Sequence, residues 1–387
     1  MGIFDAFRKK EQPKPQSERE GTHEVILKSR SLVCDVEAFV EKSDTCYYFY
    51  LWFKPMHPEA KMRTCWICNR KPAPKKIDVD NMTGGRAPMM PAEFVAHPIG
   101  GMELDETSLS VVWFEEGTGA ALLSGEEILC VIPEWSGYKD FHGYAKYAKG
   151  TGPFAWEIVQ ALPHLNDRVE MGRKLWNFFQ GEGRERVWMM AQREEILKFI
   201  GTHENDFDIT LRQNQGPNDP TFPPKVVVSG SRDGVIYGVT AGVSTAAMPM
   251  VDFHVDGDPR EVKRMELGFA TIERHRPLCR PMYGTLCSFA NFPWDQLTFL
   301  AHGHTIPFRN IGGFAAMLFV NPRFVEGLES PSCTRFLDGS AVNVLWAVPI
   351  TQDEYDFAVQ NSSAELLKKA ADASHIHIFD GKPKFVL

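Results

Sequence analysis

The 387-residue sequence lacks the features that mark membrane and nucleic-acid-binding proteins. No window approaches the roughly 18 uninterrupted apolar residues of a membrane-spanning helix. The first 22 residues have no apolar core of a secretion signal, so we expect a disordered leader over 1–22 and a cytoplasmic protein. No Lys/Arg stripe stands out and the net charge is −8, which argues against a nucleic-acid partner.

Recognisable catalytic signatures are also missing from the sequence. There is no Walker phosphate loop, no G-x-G-x-x-G fingerprint and no G-x-S-x-G nucleophile elbow. We find no coherent Ser/His/Asp or Cys/His set. The sequence therefore favours a protein that is not an enzyme and that uses neither a cofactor nor a metal.

Two pairs of residues keep a metal- or thiol-dependent enzyme open as the alternative. Cys65-x-x-Cys68 has the spacing of half a zinc site or of a redox pair, but no second such pair exists. The Pro-rich stretch after Cys68 does not form the helix that a thioredoxin-like motif needs. His302 and His304 could present two imidazoles, yet no third ligand is convincingly spaced. We interpret Cys65 and Cys68 as strand residues.

The pattern of apolar residues predicts a strand-rich chain with a helical pair near its middle. The helical pair covers 168–200 and breaks at 181–183, and a shorter helix is predicted over 154–162. Asp233-Gly234 lies between two apolar runs and predicts a hairpin. Thr351-x-x-Glu354 and Ser362-x-x-Glu365 predict helix starts. Residues 120–123 and 294–300 are predicted as short helices, and 54–91 and 211–224 as irregular. The predicted strands are 25–27, 46–53, 109–114, 127–132, 226–228, 235–239, 262–273, 314–320 and 342–348.

The helical pair separates two strand-rich regions, so we place a domain boundary near Gly201. The predicted fold class is α+β, with two mixed α/β domains over 23–200 and 201–387. Each should contain a mostly antiparallel or mixed sheet with flanking helices.

A Gly- and Tyr-rich loop over 133–153 is the strongest candidate for a binding surface, because adaptable aromatic loops are enriched at interfaces. Two domains joined by helices form a cleft, and we expect this loop to line its mouth. The acidic turn 252–258 is expected to be solvated. The candidate binding residues are Trp135, Tyr138, Phe141, Tyr144, Tyr147, His302 and His304.

Six short segments occur in a recognisable order in the C-terminal half: VTAGVS at 239–244, MPM at 248–250, RMEL at 264–267, GHTIP at 303–307, NP at 321–322 and AVPIT at 347–351. The N-terminal half contains CWICNR at 65–70, MMPAE at 89–93 and WFEEG at 113–117. The C-terminal segments resemble the Suppressor of fused family in order and spacing over 206–387. The N-terminal segments resemble a region that accompanies this domain in bacterial members.

The resemblance implies a mixed α/β domain without known catalytic activity. Animal members bind an extended transcription-factor peptide, clamped between two domains by strand addition, and bacterial members often look like immunity proteins that neutralise secreted toxins. We therefore expect a protein-binding module whose partner is a toxin domain or an extended peptide. No binding residue of the family is carried over, because the animal contact positions do not align by motif.

Overall fold

The structure, a computed structural model, describes residues 23–180, 184–208 and 225–387. Within these residues the strands form three sheets with flanking helices, which confirms the α+β class. The first sheet is an antiparallel meander. Its four strands are β1 (Glu24–Arg30), β2 (Val36–Lys42), β3 (Cys46–Phe53) and β4 (Lys61–Asn69).

β2 was not assigned from the pattern. The predicted irregular stretch 54–91 contains the whole of β4, of which only Cys65 to Cys68 were interpreted as strand. The interpretation of Cys65 and Cys68 as strand residues is confirmed, since both are fully buried in β4. The short helix α1 (Val79–Thr83) follows this sheet.

The second sheet corrects two predictions of helix. Residues 120–123 form a strand because they pair on both sides, which overrides the helix preference of Ala and Leu. Residues 154–162 hold a short strand, and the helix begins only at Leu162, where Pro163 is tolerated in the first turn. The strands are β5 (Leu109–Trp113), β6 (Ala120–Ser124), β7 (Glu127–Ile132), β8 (Tyr144–Ala145) and β9 (Trp156–Glu157).

The third sheet contains eight of the described strands. They are β10 (Thr202–Asp208), β11 (Val226–Arg232), β12 (Val235–Ala241), β13 (Arg264–Ile272), β14 (Thr305–Pro307), β15 (Ala316–Val320), β16 (Val342–Ile350) and β17 (Ile378–Phe379). The strand order is β10-β11-β12-β13-β16-β15-β14, so β13 lies at the centre. β16 pairs with the first part of β13 in parallel, and β17 pairs with Ala270 and Thr271 further along β13.

The predicted hairpin and the predicted strands over 314–320 and 342–348 are confirmed in this sheet. Asp233 and Gly234, with φ of 55° and 80°, form the two-residue turn between β11 and β12. β15 is buried on both faces: Met317 and Phe319 enter one core, while Leu318 enters another. An uninterrupted apolar run is the expected sequence of such a strand.

The helices cover these sheets. They are α2 (Leu162–Gln180), α3 (Arg184–Ile200), α4 (Val251–His254), α5 (Cys279–Gln296), α6 (Gln352–Gln360) and α7 (Ser363–Leu367). α6 begins with the predicted capping box of Thr351 and Glu354, and the Ser362 side chain accepts from the Glu365 N–H at the start of α7. The prediction of a helix starting at Trp294 is wrong, because Trp294 lies in the last turn of α5. Prolines and a glycine within α5 obscured it in the sequence.

The predicted helical pair is present and contacts two sheets. α2 packs on β5, whereas α3 packs on β11 and β12. A Cβ at Gly172 would collide with the Trp113 carbonyl oxygen, so glycine permits the close approach of α2 to β5. The domain boundary near Gly201 stays a prediction. The predicted leader, the break at 181–183 and the loop at 211–224 lie outside the described residues.

Candidate functional site

A buried arginine joins residues 23–180, here called the N-terminal half, to residues 225–387, the C-terminal half. Arg168 of α2 donates to Glu116, which follows β5, at 3.0 Å, and also to Asp252 of α4. Its side chain is 11% exposed. The guanidinium therefore connects one carboxylate from each half, and Asp252 is not part of a solvated turn as predicted.

A second group of buried charges crosses the same junction. Glu115 accepts from Lys263 and, at 2.5 Å, from Arg264 at the start of β13. Lys263 also pairs with Asp338 at 2.7 Å. The Arg264 guanidinium is fully buried and lies 3.6 Å from the ring centre of Phe336. Buried charges that are paired in this way resist separation, because breaking a pair leaves an uncompensated charge.

Two carboxyl groups in this junction titrate near neutral pH. Glu134 accepts from the backbone N–H of Met250 at 2.7 Å, so it too links the halves. Burial raises the pKa of Glu134 to about 8, and the nearby Glu116 adds to the effect. Burial likewise raises the pKa of Glu116 to about 7, against the opposing charge of Arg168.

Five rings form a row across the same junction, which we call the junction row: Tyr138, Phe253, His254, Phe299 and His304. Successive ring centroids are separated by 5.1 Å, 4.8 Å, 6.0 Å and 5.1 Å in that order. Tyr138 is 53% exposed, His254 is exposed, and the other three are half-buried. The row therefore presents aromatic edges and faces to solvent.

Each segment that supplies a ring turns at a residue with positive φ. Gly137 (92°) precedes Tyr138, and Met250 (63°) precedes α4, which carries Phe253 and His254. Leu297 (54°) ends α5 two residues before Phe299, and Gly303 (84°) precedes His304. These turns bring the four short segments together at the junction row.

The imidazole at the end of the row is neutral at physiological pH. Burial lowers the pKa of His304, and a hydrogen bond with the Phe299 backbone opposes this effect. A neutral imidazole carries one donor and one acceptor. The junction row thus combines apolar ring surface with hydrogen-bonding capacity.

The structure brings some of the predicted binding residues together. Tyr138 and His304 are the two ends of the junction row. Trp135 belongs to its base, since the Arg168 guanidinium lies 5.8 Å from the ring centre of Trp135. His302 lies two residues before His304, and its Nδ1 accepts from the Asn321 N–H at 3.2 Å.

The other three predicted residues face the second sheet and its surroundings. Phe141 is 5% exposed and packs on Tyr144 and Trp156, each with a centroid separation of 4.9 Å. Tyr147 contacts the ring of His97 at 5.9 Å. These residues support the loop rather than extend the row.

The residues of the alternative enzyme hypothesis lie in different sheets. Cys65 and Cys68 are in β4 of the first sheet, whereas His304 precedes β14 of the third. Burial raises the pKa of Cys68, which disfavours its thiolate. In the described parts of the chain, no three His, Cys, Asp or Glu side chains are grouped so that they could hold a metal ion.

Sequence reasoning missed Phe253, His254 and Phe299. Two aromatic residues inside the otherwise acidic turn 252–258 were the available signal for the first two. Phe299 was assigned to the short helix predicted over 294–300. Its position beyond the end of α5 could not be predicted.

Comparison with known proteins gives one family match. Residues 225–382 match the family model described as Suppressor of fused protein (SUFU). No curated protein matches the chain. The matched segment contains every residue of the junction row except Tyr138. Among the described residues, none of the helices has the length and apolar character needed to cross a membrane.

Proposed function

We propose, on the premise that residues 225–382 form a Suppressor of fused domain, that this chain is a non-catalytic protein-binding module whose partner contacts the junction row. The observation that carries the proposal is the row itself: five partly exposed rings lie across a junction that is held by buried ion pairs. The family consists of protein-interaction modules, so the match supports protein binding as the function.

The physical properties of the row suit a protein interface. Aromatic side chains supply large contact areas and lose little conformational entropy on binding, so they dominate binding energies. The ion pairs of Arg168 and Glu115 hold the two halves in one arrangement before a partner arrives. A pre-organised surface avoids part of the entropic cost of association.

The order of the ring contacts favours an extended segment of the partner. The rings contact one another in sequence at centroid separations of 4.8 to 6.0 Å, from Tyr138 of the N-terminal half to His304 of the C-terminal half. An extended chain can follow such a series with every second side chain, because alternate side chains lie on the same face. The net charge of −8 further favours a basic partner, because opposite charge speeds encounter.

At a finer level, we propose that the partner is a secreted toxin domain and that this chain is a cytoplasmic immunity protein. The acidic charge and the missing catalytic motifs support inhibition by binding rather than by chemistry. Co-expression with a toxin encoded next to this chain tests this level: we expect the chain to restore growth. If toxicity is undiminished although the chain is folded, the immunity proposal fails. Only the proposal of a protein-binding module then remains.

Affinity capture from the native host tests the coarser level. We expect the wild-type chain to retain a protein that is lost when Tyr138 and Phe253 are both replaced by alanine. The matched control is Ile99→Ala, which truncates a side chain that is 64% exposed and lies outside the row. Mass spectrometry of the retained proteins gives the readout. Equal retention by the double variant would show that the row does not bind the partner.

A further inference from the structure

The outer face of the first sheet carries aromatic side chains where polar ones are expected. Phe39 and Tyr50 stack at a centroid separation of 4.7 Å, and Trp52 follows on the same face of β3. The opposite face is fully buried, with Ala38 and Leu51 in the core. An antiparallel sheet with one buried face normally has a polar outer face, so these rings need an explanation.

A groove of about 440 Å³ lies along this face. Val25, Phe39 and Trp52 provide its apolar lining, and Val25 is 44% exposed. Met62 stands opposite Trp52 in the register of β3 and β4 and is 49% exposed. The groove is therefore bordered by apolar surface that is open to solvent.

An exposed methionine follows the strand that supplies Trp52 to the groove. Met56 is 94% exposed, and it sits in the connection between β3 and β4, shortly after Trp52. An unbranched thioether side chain adapts to irregular cavities and makes favourable contacts with aromatic rings. One surface thus carries both a cavity and a side chain suited to fill a cavity of that kind.

The groove also carries both signs of charge. Lys28 on β1 and Glu37 on β2 line it, and within the described residues neither has an ion-pair partner within 4 Å. Arg30 also lines the groove opposite Glu37 in the register, but it pairs with Asp35 at 2.9 Å. A surface that combines a projection with a cavity and a cation with an anion is complementary to itself. Self-complementarity is what a two-fold symmetric contact requires.

We propose that this face binds a second copy of the chain in a two-fold symmetric dimer. Met56 of each copy occupies the other copy's groove against Trp52, and Lys28 of each copy pairs with the partner's Glu37. The contact is separate from the junction row, so the dimer presents two partner-binding sites.

Sedimentation equilibrium of the full chain over a range of concentrations tests the proposal. We expect a mass of twice 43.7 kDa at high concentration. Met56→Glu should raise the dissociation constant of the dimer at least about tenfold. Ile99→Glu is the matched control, since it places the same charge on another exposed apolar position, and we expect no change. Met56 lies in solvent, so its replacement leaves folding intact.

A charge exchange identifies the second copy as the occupant. Lys28→Glu and Glu37→Lys should each weaken the homodimer, whereas an equimolar mixture of the two variants should form a heterodimer through the restored pairs. A chain that stays monomeric at about 100 µM, or a dimer unaffected by Met56→Glu, would overturn the proposal. Dimerisation that appears only after removal of residues 1–22 would assign the groove to that segment and would also overturn it.

Discussion

The contribution of the junction to stability should fall as the pH rises from 5 to 8, because the junction buries carboxyl groups that bind protons more tightly in the folded chain. Burial raises the pKa of Glu116 from 4.5 to about 7 and that of Glu134 from 4.5 to about 8. Between 4.5 and the folded value, the native state therefore holds more protons than the unfolded state. The stability contributed by these protons is fully present below pH 4.5 and is lost as the pH rises through the folded values.

The size of the effect follows from the same values. The difference between 4.5 and about 7 corresponds to about 3 kcal/mol for Glu116 alone, and Glu134 acts in the same direction. Histidines whose pKa burial lowers, such as His302 and His304, act in the opposite direction between pH 5 and 7. We therefore expect the junction carboxyls to account for a decrease of about 3 kcal/mol or more in the free energy of unfolding, measured by urea titration of the wild type against a variant that lacks one of them. Glu266, whose pKa burial raises to about 7, adds a dependence of the same sign.

Glu134→Gln isolates the junction, because an amide keeps a side-chain oxygen for the Met250 N–H and cannot ionise. We expect this variant to lose less stability between pH 5 and pH 8 than the wild type and to be the more stable of the two at pH 8. The matched control is Glu126→Gln, which changes a glutamate with 86% side-chain exposure in the same half. An unchanged pH slope in Glu134→Gln would refute the reasoning.

Two further predictions concern the junction and the alternative enzyme hypothesis. Arg168→Ala leaves Glu116 and Asp252 without their cation and should cost about 3–5 kcal/mol of unfolding free energy in urea titration. Arg173→Ala, on the same helix but with 38% side-chain exposure, should cost less than about 1 kcal/mol; similar losses in both would contradict the role of the buried pairs. Elemental analysis should find less than stoichiometric zinc in the purified chain, and a full equivalent would favour a metal site at Cys65 and Cys68 or at His302 and His304.

Local signals in the sequence were sufficient where the local structure depends on neighbouring residues. Asp233-Gly234 predicted the hairpin because few residues other than glycine, asparagine and aspartate adopt positive φ at low cost. Thr351 and Glu354 predicted the start of α6 because both halves of a capping box lie within four residues. The unbroken apolar run of β15 predicted a strand that is buried on both faces.

Predictions failed where pairing with distant strands overrides local preference. Ala120 to Leu123 have the residues of a helix, yet they pair with β5 and β7 in the second sheet. α5 was missed because Pro281, Gly284 and Pro293 suggest interruption, while packing on β12 and β13 maintains the helix. The competing influence in each case is burial against elements far away in the chain.

By itself, the sequence determined the α+β class, most of the strands, the helical pair and the similarity of residues 225–382 to one family. Only the tertiary structure decided which aromatic residues meet. Tyr138, Phe253, Phe299 and His304 come from segments separated by up to 166 positions, since 304 minus 138 is 166. Their contact depends on how α4, the end of α5 and the loop of Tyr138 meet in the tertiary structure, and no local pattern of residues encodes that packing.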